Sequence, residues 1–218
     1  MSATSSSPSR VPQPPPADEL DPLVEEWEPS SPICRCHPSA YGATEFNASR
    51  SAGRFRPFTS ARRTVPTLYG AENFQAALSE TVFHDVPISG PGREILISSL
   101  IPWLFSTIAP RRGLRLVDLR GYGLRRLELR RADLIETPAS EYPALAPWGA
   151  AFYNCPEAPD GIIWISRQYD RSAALMLFGG RVPRRDLEVV APPLPLAVGR
   201  GLDDVRDAAE AAGILIVE

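Results

Sequence analysis

The sequence contains no lysine and only three cysteines and two histidines. All 23 basic side chains are arginine, which excludes chemistry that needs a lysine amine, such as Schiff-base formation or a lysine-containing phosphate loop. Three cysteines are an odd number, and Cys34 and Cys36 are separated by a single residue. This pattern argues against a disulfide framework and for a reducing compartment.

Long hydrophobic runs are also absent. The longest apolar stretch, residues 95–108, is interrupted by three serines and a proline, so it does not read as a membrane span. Residues 1–16 carry one arginine and no apolar run, which is unlike a secretory signal. We therefore expect a cytoplasmic protein without membrane contact.

The 218 residues suit one compact domain with irregular segments. Residues 1–32 contain eight prolines, seven serines and six acidic residues against Arg10 alone. This composition predicts a disordered or loosely docked, acidic tail. The rest, residues 33–218, carries 22 arginines against 20 acidic residues and forms the predicted folded domain, with a mildly basic balance.

Hydrophobic patterning predicts an α+β fold. The predicted strands are residues 33–37, 114–119, 124–129, 161–166, 173–178, 187–190 and 214–217. The predicted helices are residues 71–85, 94–108, 141–153 and 203–212, the last ended by Gly213. The strands cluster late and do not alternate regularly with helices, which favours α+β over a doubly wound sheet.

Several familiar functional motifs are missing. The glycine pairs match neither the dinucleotide fingerprint nor the phosphate loop, and no nucleophile elbow surrounds Ser166. The two cysteines and the histidine of residues 34–37 are too closely spaced for a structural zinc site, so we expect no metal. The eight arginines of residues 111–131 are interleaved with leucines, which favours the solvent faces of two strands over a nucleic-acid footprint.

Five short stretches, taken together in their order and spacing, resemble the RES-domain family, which is named for its Arg, Glu and Ser. They cover about residues 33–185 and are residues 33–35, 46–55, 67–84, 148–151 and 160–166. The defining letters of the family fall on Arg35, Glu80 and Ser166, and two further polar positions fall on Arg54 and Tyr69. Members are toxins of toxin–antitoxin pairs.

The resemblance implies a single ADP-ribosyltransferase-like domain, with a mixed or antiparallel β core flanked by helices, that acts on NAD. It implies catalytic roles for Arg35, Glu80 and Ser166, and NAD binding by Arg35, Arg54, Tyr69 and Ser166. The nicotinamide departs as a neutral molecule, so one carboxylate suffices, and Glu80 would stabilise positive charge on the ribose. Arg35 and Arg54 would hold the pyrophosphate. Tyr69 would stack on the nicotinamide, and Ser166 would hydrogen-bond the ribose or the carboxamide.

The expected reaction is NAD phosphorolysis, with inorganic phosphate as co-substrate and with nicotinamide and ADP-ribose 1-phosphate as products. Two alternatives stay open: a protein ADP-ribosyltransferase that uses NAD, and a non-enzymatic arginine-rich interaction module. The resemblance also implies a cognate antitoxin with a helix-turn-helix (Xre-type) DNA-binding part. Direct nucleic-acid binding by this chain is therefore not expected.

Overall fold

The computed structural model describes residues 10–49, 51 and 53–218. The strands are β1 (Val24–Trp27), β2 (Ile33–Pro38), β3 (Thr59–Ser60), β4 (Arg63–Thr64), β5 (Thr67–Ala71), β6 (Glu94–Leu96), β7 (Trp103–Pro110), β8 (Leu114–Asp118), β9 (Gly161–Ile165), β10 (Ala173–Phe178), β11 (Leu187–Val189), β12 (Leu194–Pro195) and β13 (Leu215–Val217). The α-helices are α1 (Phe74–Ser79), α2 (Ile97–Leu100), α3 (Gly121–Arg126), α4 (Arg131–Leu134), α5 (Tyr142–Asn154) and α6 (Gly199–Ala212). No helix of the described part is long and apolar enough to cross a bilayer.

Nine of the strands form one mixed sheet in the order β1-β8-β9-β10-β5-β2-β7-β11, with β12 also paired to β7. Only β8 and β9 run parallel within it, and the other neighbours are antiparallel. β3 pairs with β4, and β6 pairs with β13, in two small separate sheets. The predicted α+β class with a mixed β core is therefore confirmed.

Alternation along the strands divides the core between the two faces of the sheet. In β10, Ala174, Met176 and Phe178 lie in one hydrophobic cluster with α5, whereas Leu175 and Leu177 lie in a second cluster on the other face. A third cluster lies between α1, α6 and the β2–β7 part of the sheet. The sheet is thus covered in two halves, by α5 over β9 and β10 and by α1 over β2.

The elements with the strongest local patterns lie where the sequence predicts them. β10 coincides with predicted residues 173–178, and β2, β8, β9, β11 and β13 each lie within one residue or two of their predictions. α5 is within one residue of its prediction, and α6 ends at the predicted residue but begins at Gly199, earlier than predicted residue 203. α6 ends at Gly213, whose φ of +67° is the left-handed conformation that glycine tolerates best.

Three element predictions are wrong. Residues 94–108 form β6, the single turn α2 and the central strand β7 instead of one helix, because Pro102 interrupts the run and β7 is paired on both sides. Residues 124–129 begin inside helix α3, where Leu124 is buried against the core. The helix predicted over residues 71–85 is shortened to α1 and followed by turns.

The described part of the acidic tail, residues 10–32, packs against the body. Val11 and Leu20 are buried in the same cluster as Trp148 of α5. The Trp148 indole donates a 2.7 Å hydrogen bond to the carbonyl of Pro12. Residues 1–9 of the predicted tail lie outside the described residues.

The same segment also completes one edge of the sheet. β1 pairs antiparallel with β8, with Val24 opposite Val117. Asp21 forms a 2.6 Å ion pair with Arg126. Residues 10–32, part of the segment predicted to be disordered or loosely docked, thus contact the domain in two ways. A few apolar residues among the prolines reach the core, and β1 pairs with the edge of β8.

Candidate active site

A cavity of about 390 Å³ opens where β2 and β5 separate. The two strands share one registered pair, Cys34 with Ala71, and diverge beyond it. The walls come from residues 35–38 of β2, residues 67, 69 and 70 of β5 and the segment 77–85 at the end of α1. Four of the five predicted site residues line this cavity, namely Arg35, Arg54, Tyr69 and Glu80.

Glu80 lies at the end of α1 and is held by one of its two carboxylate oxygens. The helix begins at Asn73, whose side chain accepts a 2.9 Å hydrogen bond from the amide of Ala76. At the other end, Oε1 of Glu80 accepts hydrogen bonds from the Ser166 hydroxyl at 2.6 Å and from the Arg167 amide at 2.7 Å. Among the described residues Oε2 has no such partner, so this oxygen is available to a ligand.

Ser166 is fully buried and does not line the cavity. Its hydroxyl donates to Glu80 and accepts a 3.0 Å hydrogen bond from the amide of Tyr169. Direct contact of Ser166 with the ribose or the carboxamide, which the resemblance implies, stays a prediction. In the structure the Ser166 hydroxyl helps to hold the Glu80 carboxylate.

Arg35 is a buried cation on the β2 wall, with 7% of its surface exposed. Nη1 donates to the carbonyls of Ala43 at 2.6 Å and Glu45 at 3.2 Å, and Nε has no partner. The Glu45 carboxylate pairs with Arg184 instead. Burial lowers the pKa of Arg35 to about 10, which shows that its positive charge is poorly compensated.

Arg54 is a second buried cation, with 4% of its surface exposed. It donates to the carbonyl of Leu134 at 2.8 Å, to the Thr137 hydroxyl at 3.2 Å and to the Tyr142 hydroxyl at 3.4 Å. Burial lowers its pKa, although the Glu80 charge partly offsets this. No described carboxylate forms an ion pair with Arg35 or Arg54. Two buried, unpaired guanidinium groups in one cavity favour an anionic ligand.

Tyr69 contributes a partly buried ring to the cavity wall. Its hydroxyl donates to the backbone carbonyl of Arg54, and its ring meets Trp164 edge-on with centroids 6.5 Å apart. The Arg56 guanidinium lies 5.7 Å from the ring centroid. Tyr69 therefore ties the loop that bears Arg54 to β5, besides offering a ring to the cavity.

Other residues of the cavity were not identified from the sequence. Tyr142 lies at the start of α5. Its hydroxyl accepts a hydrogen bond from Arg54 and lies 2.7 Å from Nε2 of His84. His84 also lines the cavity. Trp164 and Thr67 also line the cavity, and among the described residues the buried Nε1 of Trp164 and Oγ1 of Thr67 have no hydrogen-bond partner. The alternation of side chains along a strand could have identified them, because Thr67 shares a strand face with Tyr69 and Trp164 shares one with Ser166.

The cysteines behave as buried core thiols. All three are free and buried, and burial raises the pKa of each, for Cys36 to about 12. No group of three or more histidine, cysteine, aspartate or glutamate side chains in the described ranges could hold a metal ion. The chemistry of the cavity thus comes from arginine, glutamate, tyrosine and histidine.

Comparisons with known proteins identify the family and the fold of the chain. The family model described as RES domain matches residues 32–199. A chain in the crystal structure of the M. tuberculosis MbcT–MbcA toxin–antitoxin complex is similar in structure, with a TM-score of 0.58 and 18% sequence identity, over 78% of this chain and 85% of that chain. This likeness confirms the predicted ADP-ribosyltransferase-like fold. No curated protein matches the sequence.

Proposed function

The chain belongs to the RES domain family, and from this premise we propose that it is the toxin of a toxin–antitoxin pair and cleaves the nicotinamide–ribose bond of NAD. The family resemblance of its residues implies this activity. The observation that carries the proposal is the meeting, in one cavity, of two buried guanidinium groups without a carboxylate partner and a glutamate with one free oxygen.

The two arginines suit the pyrophosphate of NAD. Buried cations cost free energy unless an anion compensates them, and among the described residues Arg35 and Arg54 donate hydrogen bonds only to neutral oxygens. The pyrophosphate carries two negative charges and would accept charge-assisted hydrogen bonds, including one from the unpartnered Nε of Arg35. We propose that the centre of the dinucleotide lies beside Arg35 and Arg54.

Glu80 suits the bond cleavage. As the glycosidic bond breaks, its electron pair moves to the nicotinamide nitrogen, which loses its positive charge, and positive charge develops on the ribose. The leaving group needs no proton, unlike a sugar oxygen, so a second carboxylic acid is not required. Oε2 of Glu80 would stabilise the ribose cation, while Ser166 and the Arg167 amide keep the carboxylate in place.

The proposed acceptor is inorganic phosphate. A phosphate oxygen would form the new bond to C1 of the ribose and give ADP-ribose 1-phosphate. This oxygen is already ionised, so no base has to remove a proton. A protein side chain as acceptor would follow the same first step, and the acceptor therefore has to be decided by experiment.

The test is chromatography of NAD incubated with purified wild type and with Glu80→Gln, in phosphate buffer and in a phosphate-free buffer. We expect wild type to deplete NAD much faster with phosphate, and Glu80→Gln to lose most turnover while it still binds NAD. Glu94→Gln is the matched control, because Glu94 is exposed on β6 and does not line the cavity.

Other outcomes contradict specific parts of the proposal. Equal rates in both buffers would remove phosphate as the acceptor. Label from adenine-tagged NAD on a polypeptide would support protein ADP-ribosylation instead. If wild type and Glu80→Gln had the same phenotype in cells and neither consumed NAD, the chain would be a non-enzymatic interaction module.

A toxin that consumes NAD has to be silenced in its own cell. We propose a helix-turn-helix (Xre-type) antitoxin as the partner, with DNA contact made by that partner. The structural neighbour belongs to a toxin–antitoxin complex, which supports a partner of this kind. Co-expression of the neighbouring gene product should restore growth and NAD levels, and continued NAD loss in the stable complex would contradict inhibition.

A further inference from the structure

Two aromatic side chains, Tyr41 and Trp103, line the cavity beside Pro38. Trp103 lies directly opposite Pro38 in the β2–β7 register. Tyr41 lies on the turn that follows β2, and its amide donates a 3.0 Å hydrogen bond to the carbonyl of Pro38. The end of β2 thus brings the aromatic rings of Tyr41 and Trp103 and the pyrrolidine ring of Pro38 to the same part of the cavity.

Both aromatic side chains are only partly buried, and both lack ring partners among the described residues. Trp103 packs against the hydrophobic cluster under α1, which holds it in place while it still contributes to the cavity lining. In contrast, Tyr69 and Trp164 are in edge-to-face contact with each other. Tyr41 and Trp103 therefore offer the least committed π-surfaces of the cavity.

Tyr41 and Trp103 line the same cavity as Arg35, farther along the chain direction of β2. Arg35 and Pro38 are three residues apart on one strand, which is ~10 Å along its axis. His37 lies between them and is buried, with Nε2 2.8 Å from the Ser106 hydroxyl. Burial and the charge of Arg35 lower its pKa, so this part of the wall carries no second cation. The β2 residues next to Tyr41 and Trp103 are thus the apolar Pro38 and the uncharged His37, which suit a neutral nucleobase.

We propose that Tyr41 and Trp103 form a nucleobase subsite that binds the adenine ring of the substrate. The inference rests on the proposed NAD cleavage and gives the substrate a direction. The adenine lies beside Pro38, the pyrophosphate lies at Arg35, and the nicotinamide end lies towards Glu80. The subsite would make the enzyme prefer a dinucleotide to nicotinamide mononucleotide, which lacks the adenosine part.

The test compares NAD with nicotinamide mononucleotide as substrates of wild type, Tyr41→Ala and Trp103→Ala. Stacking of a base on an aromatic side chain predicts that the ratio of kcat/KM for NAD to that for the mononucleotide falls roughly 5- to 150-fold in each variant. Trp103→Phe and Tyr41→Phe keep a ring and should retain most of the preference. Tyr122→Ala is the control, because Tyr122 is 83% exposed and lies outside the cavity.

A second measurement does not depend on turnover. Calorimetric titration with adenosine 5′-diphosphate should detect binding to wild type and a loss of affinity of similar size in Tyr41→Ala. Tyr41 lies on a surface turn, so this variant keeps the test decisive even if Trp103→Ala fails to fold. An unchanged substrate ratio in Tyr41→Ala, or unchanged affinity of that variant for the diphosphate, would overturn the subsite.

The two measurements also separate this inference from the proposed function. NAD cleavage with an unaltered NAD preference in the variants would remove the subsite and leave the enzyme assignment intact. Binding of the diphosphate that depends on Tyr41, without any NAD cleavage by wild type, would keep the subsite and remove the enzyme assignment.

Discussion

Replacement of Ser166 by alanine tests how the Glu80 carboxylate is held. The change removes one of the two hydrogen bonds to Oε1 of Glu80 and leaves the Arg167 amide as the other donor. It takes nothing from the cavity wall, because Ser166 is fully buried and does not line the cavity. We therefore expect lower kcat for NAD cleavage and little change in KM.

The magnitude follows from the kind of bond that is lost. A hydrogen bond to a charged group contributes about 1.5–3 kcal/mol. If the loss of this hydrogen bond weakens the stabilisation of the transition state by the same free energy, kcat falls roughly 10- to 150-fold. The amide of Tyr169, which donates to the Ser166 hydroxyl, also loses its partner, so unfolding should become easier by about 1–3 kcal/mol.

The assay is steady-state NAD consumption at saturating phosphate, with urea unfolding measured in parallel. Ser172→Ala is the matched control, since Ser172 is a buried serine on the same β9–β10 connection whose hydroxyl contacts Asn73 instead of Glu80. In a Glu80→Gln background, Ser166→Ala should have no further effect on the residual rate. A kcat within twofold of wild type, or the same loss in Ser172→Ala, would refute the positioning role.

Three further predictions concern binding, thiol chemistry and the N-terminal segment. Arg35→Ala, made in the Glu80→Gln background to prevent turnover, should weaken NAD binding by about 1.5–3 kcal/mol in calorimetry, and unchanged affinity would remove Arg35 from the pyrophosphate site. Burial raises the pKa of Cys36 to about 12 and also raises the pKa values of the other two cysteines. A thiol reagent at pH 8 should therefore label the native protein far more slowly than the unfolded protein. Equal labelling rates would show that the thiols are accessible. Leu20→Ala should lower the free energy of unfolding by about 2–5 kcal/mol, whereas Leu215→Ala, at an exposed position, should change it by about 0.5 kcal/mol or less. A Leu20 variant as stable as wild type would mean that residues 10–32 contribute nothing to the fold.

Elements with a clear local pattern were predictable from the sequence. β10 is bounded by loops and consists of apolar residues throughout, and it lies where it was predicted. α6 carries a polar face and ends at Gly213, and its C-terminus was also predicted. Such patterns depend only on residues that are close in sequence, so they can be recognised without knowledge of the tertiary structure.

Residues 94–108 show where that approach ends. Apolar residues are frequent on both sides of Ser98, Ser99 and Pro102, and such a pattern fits a helix as well as a strand. β7 is a strand because β2 lies on one side of it and β11 and β12 lie on the other. Those partners are distant in sequence, and no local propensity reports their arrival.

The chemical character of the site was readable from the chain alone: arginines that replace every lysine, and a set of polar residues in a family-like order that includes Arg35 and Glu80. Only the tertiary structure shows which residues contact one another. Ser166 donates a hydrogen bond to Glu80, and Tyr142 of α5 accepts one from Arg54. The cavity exists because β2 and β5 keep a single registered pair and then separate. Strand separation depends on the packing of two covered halves of a sheet, and this long-range property is not encoded in any one stretch of residues.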